Sequence, residues 1–347
     1  MPNPSFLGTT LPLVQAPMAG VQGHALAAAV CNAGGLGSIP AAMLSQEALD
    51  KELSQLTALT DKPYNVNFFC HTPPEPDPAR EALWQQTLQP YYNELGLSLA
   101  GIAPGPGRAP FSEQAADVVE AFKPAVMSFH FGLPPKTLLA RVKSWGSRVL
   151  ASATTVDEAL WLQAHGADAI IAQGLEAGGH RGIFLNGDLS TQMGTMALLP
   201  QIVQAVRVPV IAAGGIADAA GVAAAMALGA SAVQIGTAYM CCPEATTSAL
   251  HRAALQSPQA RHTALTTLFT GRPARGIVNR LMRELGPLNP AAPAFPLATA
   301  AIAPLRAKAE SVGNADFSPL WSGQNASQCG NLPAAELTRA LAKGFVR

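Results

Sequence analysis

Charged side chains are scarce in this sequence. They make up 13% of the 347 residues, whereas a typical soluble domain carries about 25%. Lys and Arg together number 22, as do Asp and Glu, so the formal net charge is zero. There is no Lys and Arg stripe to act as the electropositive footprint of a nucleic-acid binder. Because 49% of the residues are hydrophobic, the chain can bury a large core; these proportions exclude disorder and argue against nucleic acid as a partner.

Long apolar runs and an early basic residue are also missing. The most apolar long stretch, residues 211–236, contains Asp218 and Gln234 and divides into strand, turn, helix and strand. A membrane helix, by contrast, needs about 20 apolar residues. The first basic residue is Lys51, so the positively charged start of a secretory signal is absent. We expect a cytoplasmic protein without a membrane partner.

Cysteine pairs and several catalytic signatures are absent as well. The five cysteines form no C-x-x-C, which argues against a disulfide framework and against a zinc knuckle. The sequence contains no G-x-S-x-G, H-E-x-x-H, G-x-x-x-x-G-K-[ST] or G-x-G-x-x-G. Serine hydrolases, zinc proteases, P-loop enzymes and Rossmann dehydrogenases therefore lack support, and no metal site is predicted.

What the chain does have is an alternation of short apolar runs with segments of helical composition. The runs are nearly continuous, as in VPVIAA, which is typical of parallel strands covered on both faces. Predicted strands cover residues 11–17, 36–40, 64–69, 125–131, 148–153, 169–173, 208–213 and 232–237. Predicted helices cover residues 25–33, 46–59, 77–95, 113–122, 135–145, 155–165, 196–206 and 218–228. Eight strands alternating with eight helices indicate an α/β fold of the (β/α)8 TIM-barrel type.

Two regions depart from this repeat. Residues 96–110 are rich in Pro and Gly and are predicted to be a loop after the third unit. Residues 241–310 contain helix-like pieces (245–256, 276–285 and 299–310) among several prolines. We expect a barrel formed by residues 1–240 and 311–347, with a helical cap domain, residues 241–310, inserted after the last barrel strand. The tail, residues 333–346, is predicted to be a final helix that returns to the barrel.

Two glycine-containing segments follow the seventh and eighth predicted strands. Gly214 and Gly215 precede a helix start, and the second segment contains Gln234, Ile235, Gly236 and Thr237. Barrels of this type bind phosphate at these two positions, where glycine lets the backbone approach an anion. Each segment alone is a weak signal, but together they predict a phosphate-bearing cofactor.

A histidine lies in a glycine-rich segment directly after the sixth strand. The segment runs from Gln173 through Gly178 and Gly179 to His180. An imidazole that is partly desolvated at the barrel mouth can titrate near neutrality, so we predict that His180 is a general base. A surface histidine in a flexible loop is the alternative. Glu176 and Arg181 are expected to brace the loop.

Three other positions allow more than one interpretation or give a weak pattern. His130 ends the fourth strand, where a pocket role and a structural role both stay open. Asn67 lies within the third strand, where its buried amide needs partners, either a cofactor ring edge or the backbone. Small residues and a Pro at Ala16, Pro17 and Met18 would let the main chain lie against a planar ring, although this signal is not specific.

Four of these segments together resemble the nitronate monooxygenase (2-nitropropane dioxygenase) family, most closely its class I branch. They are residues 13–20 (LVQAPMAG), 65–69 (NVNFF), 128–134 (SFHFGLP) and 172–182 (AQGLEAGGHRG). The resemblance implies an FMN-dependent, metal-free enzyme that oxidises alkyl nitronates with O₂ to a carbonyl compound and nitrite through a flavin semiquinone. Propionate 3-nitronate is the substrate, a toxin, that the family leads us to expect.

The resemblance also assigns residues. It implies that His180 is the active-site base or orients the nitronate, with His130 as a pocket neighbour. Met18, with Ala16 and Pro17, would pack near the reactive edge of the flavin. FMN would be held by Asn67, Gln173, Gly178, Gly215 and residues 234–237.

One segment departs from the family pattern. Tyrosines and a lysine that the pattern places in the substrate pocket are replaced here by Phe295, Thr299 and Ala303. Loss of that cation predicts weaker binding of a carboxylate-bearing nitronate, and hence a smaller or less charged substrate. Strong preference for propionate 3-nitronate over neutral alkyl nitronates would contradict this expectation.

Three alternative functions stay open. An NAD(P)H-dependent flavin reductase on the same barrel, acting on quinones or enoyl-acyl carriers, would be reduced rapidly by NAD(P)H. A flavin-binding protein without turnover would be insensitive to substitution of His180, and a phosphate-sugar barrel enzyme without flavin would be colourless. The sequence leaves monomer and homodimer both open.

Overall fold

Eight parallel strands form the centre of the structure, a computed structural model that describes residues 6–102 and 108–345. The barrel strands are β1 (Leu13–Gln15), β2 (Gly37–Pro40), β3 (Tyr64–Phe69), β4 (Val126–His130), β5 (Arg148–Ala153), β6 (Ala169–Gln173), β8 (Val210–Ala213) and β9 (Ala232–Ile235). Each falls within a predicted strand. The spatial order is β1-β9-β8-β6-β5-β4-β3-β2, with every pairing parallel.

The two ends of this sheet meet and close the barrel. Val14 in β1 forms a parallel bridge with Leu36, the residue before β2. The N–H of Gln15 donates to the Leu36 carbonyl at 2.9 Å, and the N–H of Leu36 donates to the Leu13 carbonyl at 2.8 Å. The predicted (β/α)8 barrel is therefore confirmed.

Both faces of the strands are buried, which explains their continuous apolar character. Because successive side chains point to opposite faces, Leu150 and Ile171 pack inside the barrel, while Ala151 and Ile170 pack against the surrounding helices. The barrel interior is a core of side chains and leaves ligands to the strand ends.

Twelve α-helices lie in the described part of the chain. They are α1 (His24–Asn32), α2 (Gln46–Leu59), α3 (Pro78–Glu94), α4 (Glu113–Phe122), α5 (Lys136–Ser144), α6 (Val156–Ala164), α7 (Thr195–Ala205), α8 (Ala219–Ala227), α9 (Ala249–Leu255), α10 (Arg280–Leu285), α11 (Thr299–Ser311) and α12 (Ala334–Ala342). Asp218 caps α8 by accepting from the N–H of Gly221 at 2.8 Å, as helix N-cap preferences predict. None of the helices in this part of the chain is long and apolar enough to cross a membrane.

The helical ring differs from a strict alternation at two places. Strand β3 is followed by both α3 and α4, and α3 packs away from the barrel: the Trp84 indole donates to the Ala298 carbonyl at 3.3 Å, and the Tyr92 hydroxyl to that of Ala301 at 2.7 Å. The tail helix α12 fills the remaining place, packing Leu337 and Leu341 among side chains of α1 and α8. The predicted return of the tail helix is confirmed, although residue 346 lies outside the described residues.

Residues 241–310 are not purely helical. They contain strands β10 (Thr263–Thr266) and β11 (Ala274–Ile277), which pair with each other and with β7 (Gly179–His180) in an antiparallel sheet. The helix predicted over residues 276–285 is wrong in its first four residues, because pairing with β10 holds Gly276 and Ile277 in a strand and α10 begins only at Arg280. Of the predicted loop at residues 96–110, residues 103–107 lie outside the described residues. The proposed domain boundaries remain a prediction.

Candidate active site

A pocket opens at the carboxyl ends of the barrel strands. It contains about 1390 Å³ of space, including the part open to solvent. Seven of the eight barrel strands contribute to its wall. The predicted residues that line it are Ala16, Pro17, Met18, Asn67, His130, Gln173, Gly178, Gly179, His180, Gly214, Gly215, Gln234, Gly236 and Thr237.

Three predicted residues do not line the pocket. Ile235 is 1% exposed and packs between the barrel and its helices. Phe295 lies behind the pocket wall with its ring centroid 5.3 Å from that of His180. Thr299 begins α11, where its hydroxyl donates to the Phe269 carbonyl at 3.1 Å.

His180 is held on a short strand. Strand β7 pairs with β11, so that His180 lies opposite Ala274. The His180 Nε2 atom is 2.9 Å from the Thr270 hydroxyl, and its ring also lies 5.6 Å from that of Trp321. The segment predicted as a glycine-rich turn therefore presents the imidazole in a fixed position.

Two further side chains hold the backbone carbonyl of His180. The Gln173 amide donates to it at 2.9 Å, and the same side chain accepts from the N–H of Gly182 at 2.7 Å. The His130 Nε2 atom is 3.1 Å from this carbonyl. Since a carbonyl oxygen only accepts, Nε2 carries the proton and Nδ1 accepts from the Ser152 hydroxyl at 3.0 Å. His130 thus lines the pocket and also positions His180.

The imidazoles of this region are neutral at physiological pH. Burial lowers the pKa of His180 well below its usual value, and the charges of Arg108 and Arg272 act in the same direction. Burial likewise lowers the pKa of His130 to about 3. The expectation that His180 titrates near neutrality is therefore corrected, because desolvation and positive neighbours disfavour the imidazolium.

Asn67 presents an unpaired acceptor. Its Nδ2 donates to the carbonyl of Ser128 at 3.1 Å and to the hydroxyl of the same residue at 2.9 Å. Within residues 6–102 and 108–345, its Oδ1 has no hydrogen-bond partner, although the side chain is only 7% exposed. One end of the amide thus satisfies the backbone, as the second alternative from sequence has it, and contact with a cofactor stays a prediction.

Gln234 presents a second unpaired hydrogen-bond acceptor. Its Oε1 atom is buried without a hydrogen-bond partner among the described residues, and the side chain lines the pocket. Buried polar atoms are almost always paired. A ligand donor in the pocket would satisfy both Gln234 and Asn67.

The turns below the pocket require glycine at particular positions. Gly214 and Gly215 have φ values of +118° and +74°, which side chains rarely adopt. A Cβ atom on Gly178 would lie 2.5 Å from the Gly323 nitrogen and 2.6 Å from the Ser322 carbonyl carbon. Backbone without side chains therefore borders this part of the pocket.

Glu176 and Arg181 brace the loop, as predicted. The Glu176 carboxylate accepts from the N–H of Thr195 at 2.8 Å and from its hydroxyl at 2.9 Å, which anchors the start of α7. Arg181 is fully buried and donates to the carbonyls of Gln173 and Gly174, each at 2.7 Å.

Residues at the end of β2 (Pro40, Ala42 and Met43) and Ser152 in β5 also line the pocket and were not predicted. Two further parts of the pocket lie outside the barrel strands and their ends. Arg108 reaches it from the loop between α3 and α4, and Trp321, Ser322, Gly323 and Asn325 reach it from the segment before α12. This segment contacts the turns at Gly215 and Thr237: the N–H of Gly323 donates to the Thr237 hydroxyl at 2.9 Å, and the Asn325 amide donates to the Gly215 carbonyl at 3.0 Å. Neither part follows a barrel strand, so the expectation that ligands bind at the ends of the barrel strands did not include them.

A (β/α)8 barrel with a glycine-bordered pocket and a positioned histidine at its strand ends is the architecture of a TIM-barrel enzyme. The family model described as nitronate monooxygenase matches residues 3–344. A nitronate monooxygenase of Pseudomonas aeruginosa is 44% identical over 97% of this chain and 96% of its own. The chain belongs to the nitronate monooxygenase family.

Solved structures agree with this family. The nitroalkane oxidase from Streptomyces ansochromogenes aligns with a TM-score of 0.89 at 39% identity, covering 98% of this chain and 97% of its own. FabK from Thermotoga maritima aligns with a TM-score of 0.72 at 27% identity, over 98% of this chain and 94% of its own. The chain is therefore an oxidoreductase of this family built on a TIM barrel.

Proposed function

We propose that this protein is an FMN-dependent nitronate monooxygenase that oxidises alkyl nitronates with O₂ to a carbonyl compound and nitrite. The observation that carries the proposal is the position of His180, a neutral imidazole fixed by Thr270 and facing a pocket bordered by bare backbone. The family relationship supplies the reaction class, and the pocket supplies the parts that such a reaction needs.

The residues of the pocket fit FMN. The N–H groups of the turns at Gly214, Gly215 and Gly236, together with the start of α8, form an electropositive setting suited to its phosphate. Gln234 Oε1 is buried without a partner among the described residues and needs a donor, Asn67 lines the same pocket, and the edge of a flavin ring carries an N–H group. When bound, FMN supplies the electron acceptance and the reaction with O₂.

His180 can serve the substrate in either of two ways, both of which need a neutral ring. An N–H facing the pocket donates to a nitronate oxygen and orients it, whereas a lone pair facing the pocket accepts a proton from the carbon of a nitroalkane. The hydroxyl of Thr270 either donates or accepts at 2.9 Å, so it supports both tautomers.

An aromatic wall borders the pocket: Phe69 lines it, and Phe131 and Phe295 pack against Phe69 without lining it. The ring centroids of Phe69 and Phe131 lie 4.8 Å apart, and that of Phe295 lies 6.1 Å from Phe69 and 5.6 Å from Phe131. All three rings are buried. Such a wall keeps water from the reacting carbon and strengthens the hydrogen bonds made by His180.

Turnover in air tests the proposal. Purified protein mixed with an alkyl nitronate is expected to consume O₂ and release nitrite, measured with an oxygen electrode and a colorimetric nitrite assay. A protein that lacks bound FMN, or that releases no nitrite from any alkyl nitronate, would contradict the proposal. NADPH oxidation with a quinone acceptor in the same preparation would favour the flavin reductase instead.

A further inference from the structure

Arg108 brings a cation to the substrate side of the pocket. Its side chain lines the pocket, and its Nη1 donates to the Thr299 hydroxyl at 3.1 Å. The guanidinium carbon lies 5.9 Å from the ring centroid of Phe295. Because the same ring lies 5.3 Å from the imidazole of His180, Arg108 and His180 lie close enough for a small ligand to reach both.

No protein carboxylate neutralises this cation in the part of the chain that the structure describes. None of the ion pairs formed there involves Arg108, and residues 1–5, 103–107 and 346–347 contain no Asp or Glu side chain. The charge of Arg306 lowers the pKa of Arg108, and the charge of Arg108 lowers the pKa values of His71 and His180. None of these is acidic.

Burial without a counter-ion is costly for a cation, and an anionic ligand relieves that cost. Arg108 is half-buried, and the resulting desolvation lowers its pKa. Beside it, His71 is 7% exposed, and its Nδ1 atom has no hydrogen-bond partner among the described residues. The guanidinium carbon of Arg272 lies 3.8 Å from the ring centroid of Phe131, in the aromatic wall of the pocket. This side of the pocket is therefore electropositive.

We propose that Arg108 is a specificity-determining residue that binds a carboxylate on the nitronate substrate, at the end remote from the nitronate group. A guanidinium has five N–H donors in a planar fork that matches a carboxylate, and one of them is used on Thr299. The inference rests on the proposed function. It reverses the expectation drawn from Phe295, Thr299 and Ala303, because the cation enters from the loop between α3 and α4.

Two nitronates of equal chain length test the proposal. Propionate 3-nitronate carries the carboxylate and propyl-1-nitronate lacks it. In Arg108→Gln, we expect kcat/KM for propionate 3-nitronate to fall roughly 10- to 100-fold, mainly through KM, as for loss of a charge-assisted hydrogen bond. For propyl-1-nitronate we expect a change below about threefold, and Arg108→Lys should restore part of the loss.

Arg306→Gln is the matched control. It removes a nearby positive charge that pairs with Glu310 at 2.7 Å on the surface, so it reports long-range electrostatics alone. We expect it to leave both nitronates unaffected. Equal losses on the two nitronates in Arg108→Gln, or no loss on either, would overturn the proposal.

A binding measurement separates this inference from the proposed function. Calorimetric titration of the holoenzyme with 3-nitropropanoate is expected to show binding that Arg108→Gln weakens by a similar factor, and 1-nitropropane should not discriminate between the two proteins. Arg108-dependent binding without turnover of any nitronate would refute the proposed function and keep the anion site. Nitronate turnover with binding that is independent of Arg108 would refute only the anion site.

Discussion

His180 is the residue on which the proposed chemistry depends. We expect His180→Asn to lower kcat/KM for nitronates by roughly 10²- to 10⁴-fold, the range typical of general acid–base groups. Flavin content and melting temperature should stay near those of the parent protein, because the backbone carbonyl that Gln173 and His130 hold is kept. Steady-state kinetics together with flavin absorbance measure both effects.

His165→Asn is the control for this substitution. His165 is exposed and stacks on Trp161 at 3.9 Å between ring centroids, remote from the pocket. Its substitution should leave kinetics unchanged. Activity of His180→Asn within a few-fold of the parent protein would refute a chemical role for the imidazole, and loss of flavin in step with activity would indicate a structural one.

Sequence reasoning succeeded at residues whose neighbours in the chain define their place. His180, Gly214 and Gln234 each lie at or just after the end of a predicted strand, where a barrel puts ligands. Arg108 and Trp321 reach the same pocket from segments with no such relationship to a strand. Likewise, the low pKa of His180 depends first on burial and then on the charges of residues distant in sequence, Arg108 and Arg272 among them, so no local pattern could predict it.

The turn at Gly178 is the element whose geometry the pocket most depends on. Alanine there would place a methyl group 2.5 Å from the Gly323 nitrogen, which is backbone and cannot move freely. We expect Gly178→Ala to lower the flavin-to-protein ratio and to cost about 1–3 kcal/mol of unfolding free energy, as overpacking does. Absorbance spectra and denaturant titrations measure the two effects.

Gly187→Ala is the comparison for this turn. A Cβ on Gly187 would meet no atom within 4 Å, so the substitution should leave flavin content and stability unchanged. Full flavin occupancy and unchanged stability in Gly178→Ala would show that the turn does not set the shape of the pocket.

Among the secondary-structure elements, those formed by local signals were predictable and those formed by distant pairing were not. The barrel strands and α2 and α4 follow from apolar runs and helix caps such as Ser45 and Ser112. The β10–β11 pair depends on contacts with β7 that are about 90 residues away in sequence. Similarly, α3 looks like a barrel helix in sequence, yet its aromatic side chains pack against α11.

For the molecule as a whole, buried neutral histidines make stability depend on pH. Burial lowers the pKa of His71 and of His251 to about 4, whereas an unfolded histidine titrates near 6.5. As the pH falls below about 6.5, the unfolded state binds protons that the folded state does not, so the free energy of unfolding falls. This loss continues until the pH approaches 4.

We expect the parent protein to lose unfolding free energy between pH 7 and pH 5, with each such histidine contributing on the order of 1 kcal/mol. The His251 Nε2 atom donates to the Trp321 carbonyl at 2.9 Å. The substitution His251→Gln keeps a hydrogen-bond donor at this position but removes the titrating group. Denaturant titrations at both pH values should show a smaller loss in His251→Gln. An identical loss in the two proteins would contradict the assignment of buried, neutral His251.

The proposed function requires that this barrel pass electrons from a nitronate to a bound flavin. Anaerobic mixing of the purified protein with propionate 3-nitronate, and separately with NADPH, tests this while the flavin absorbance is followed. We expect the nitronate to change the flavin spectrum within the time of turnover and NADPH to leave it unchanged. Bleaching by NADPH with the nitronate inert would instead identify the protein as a flavin reductase.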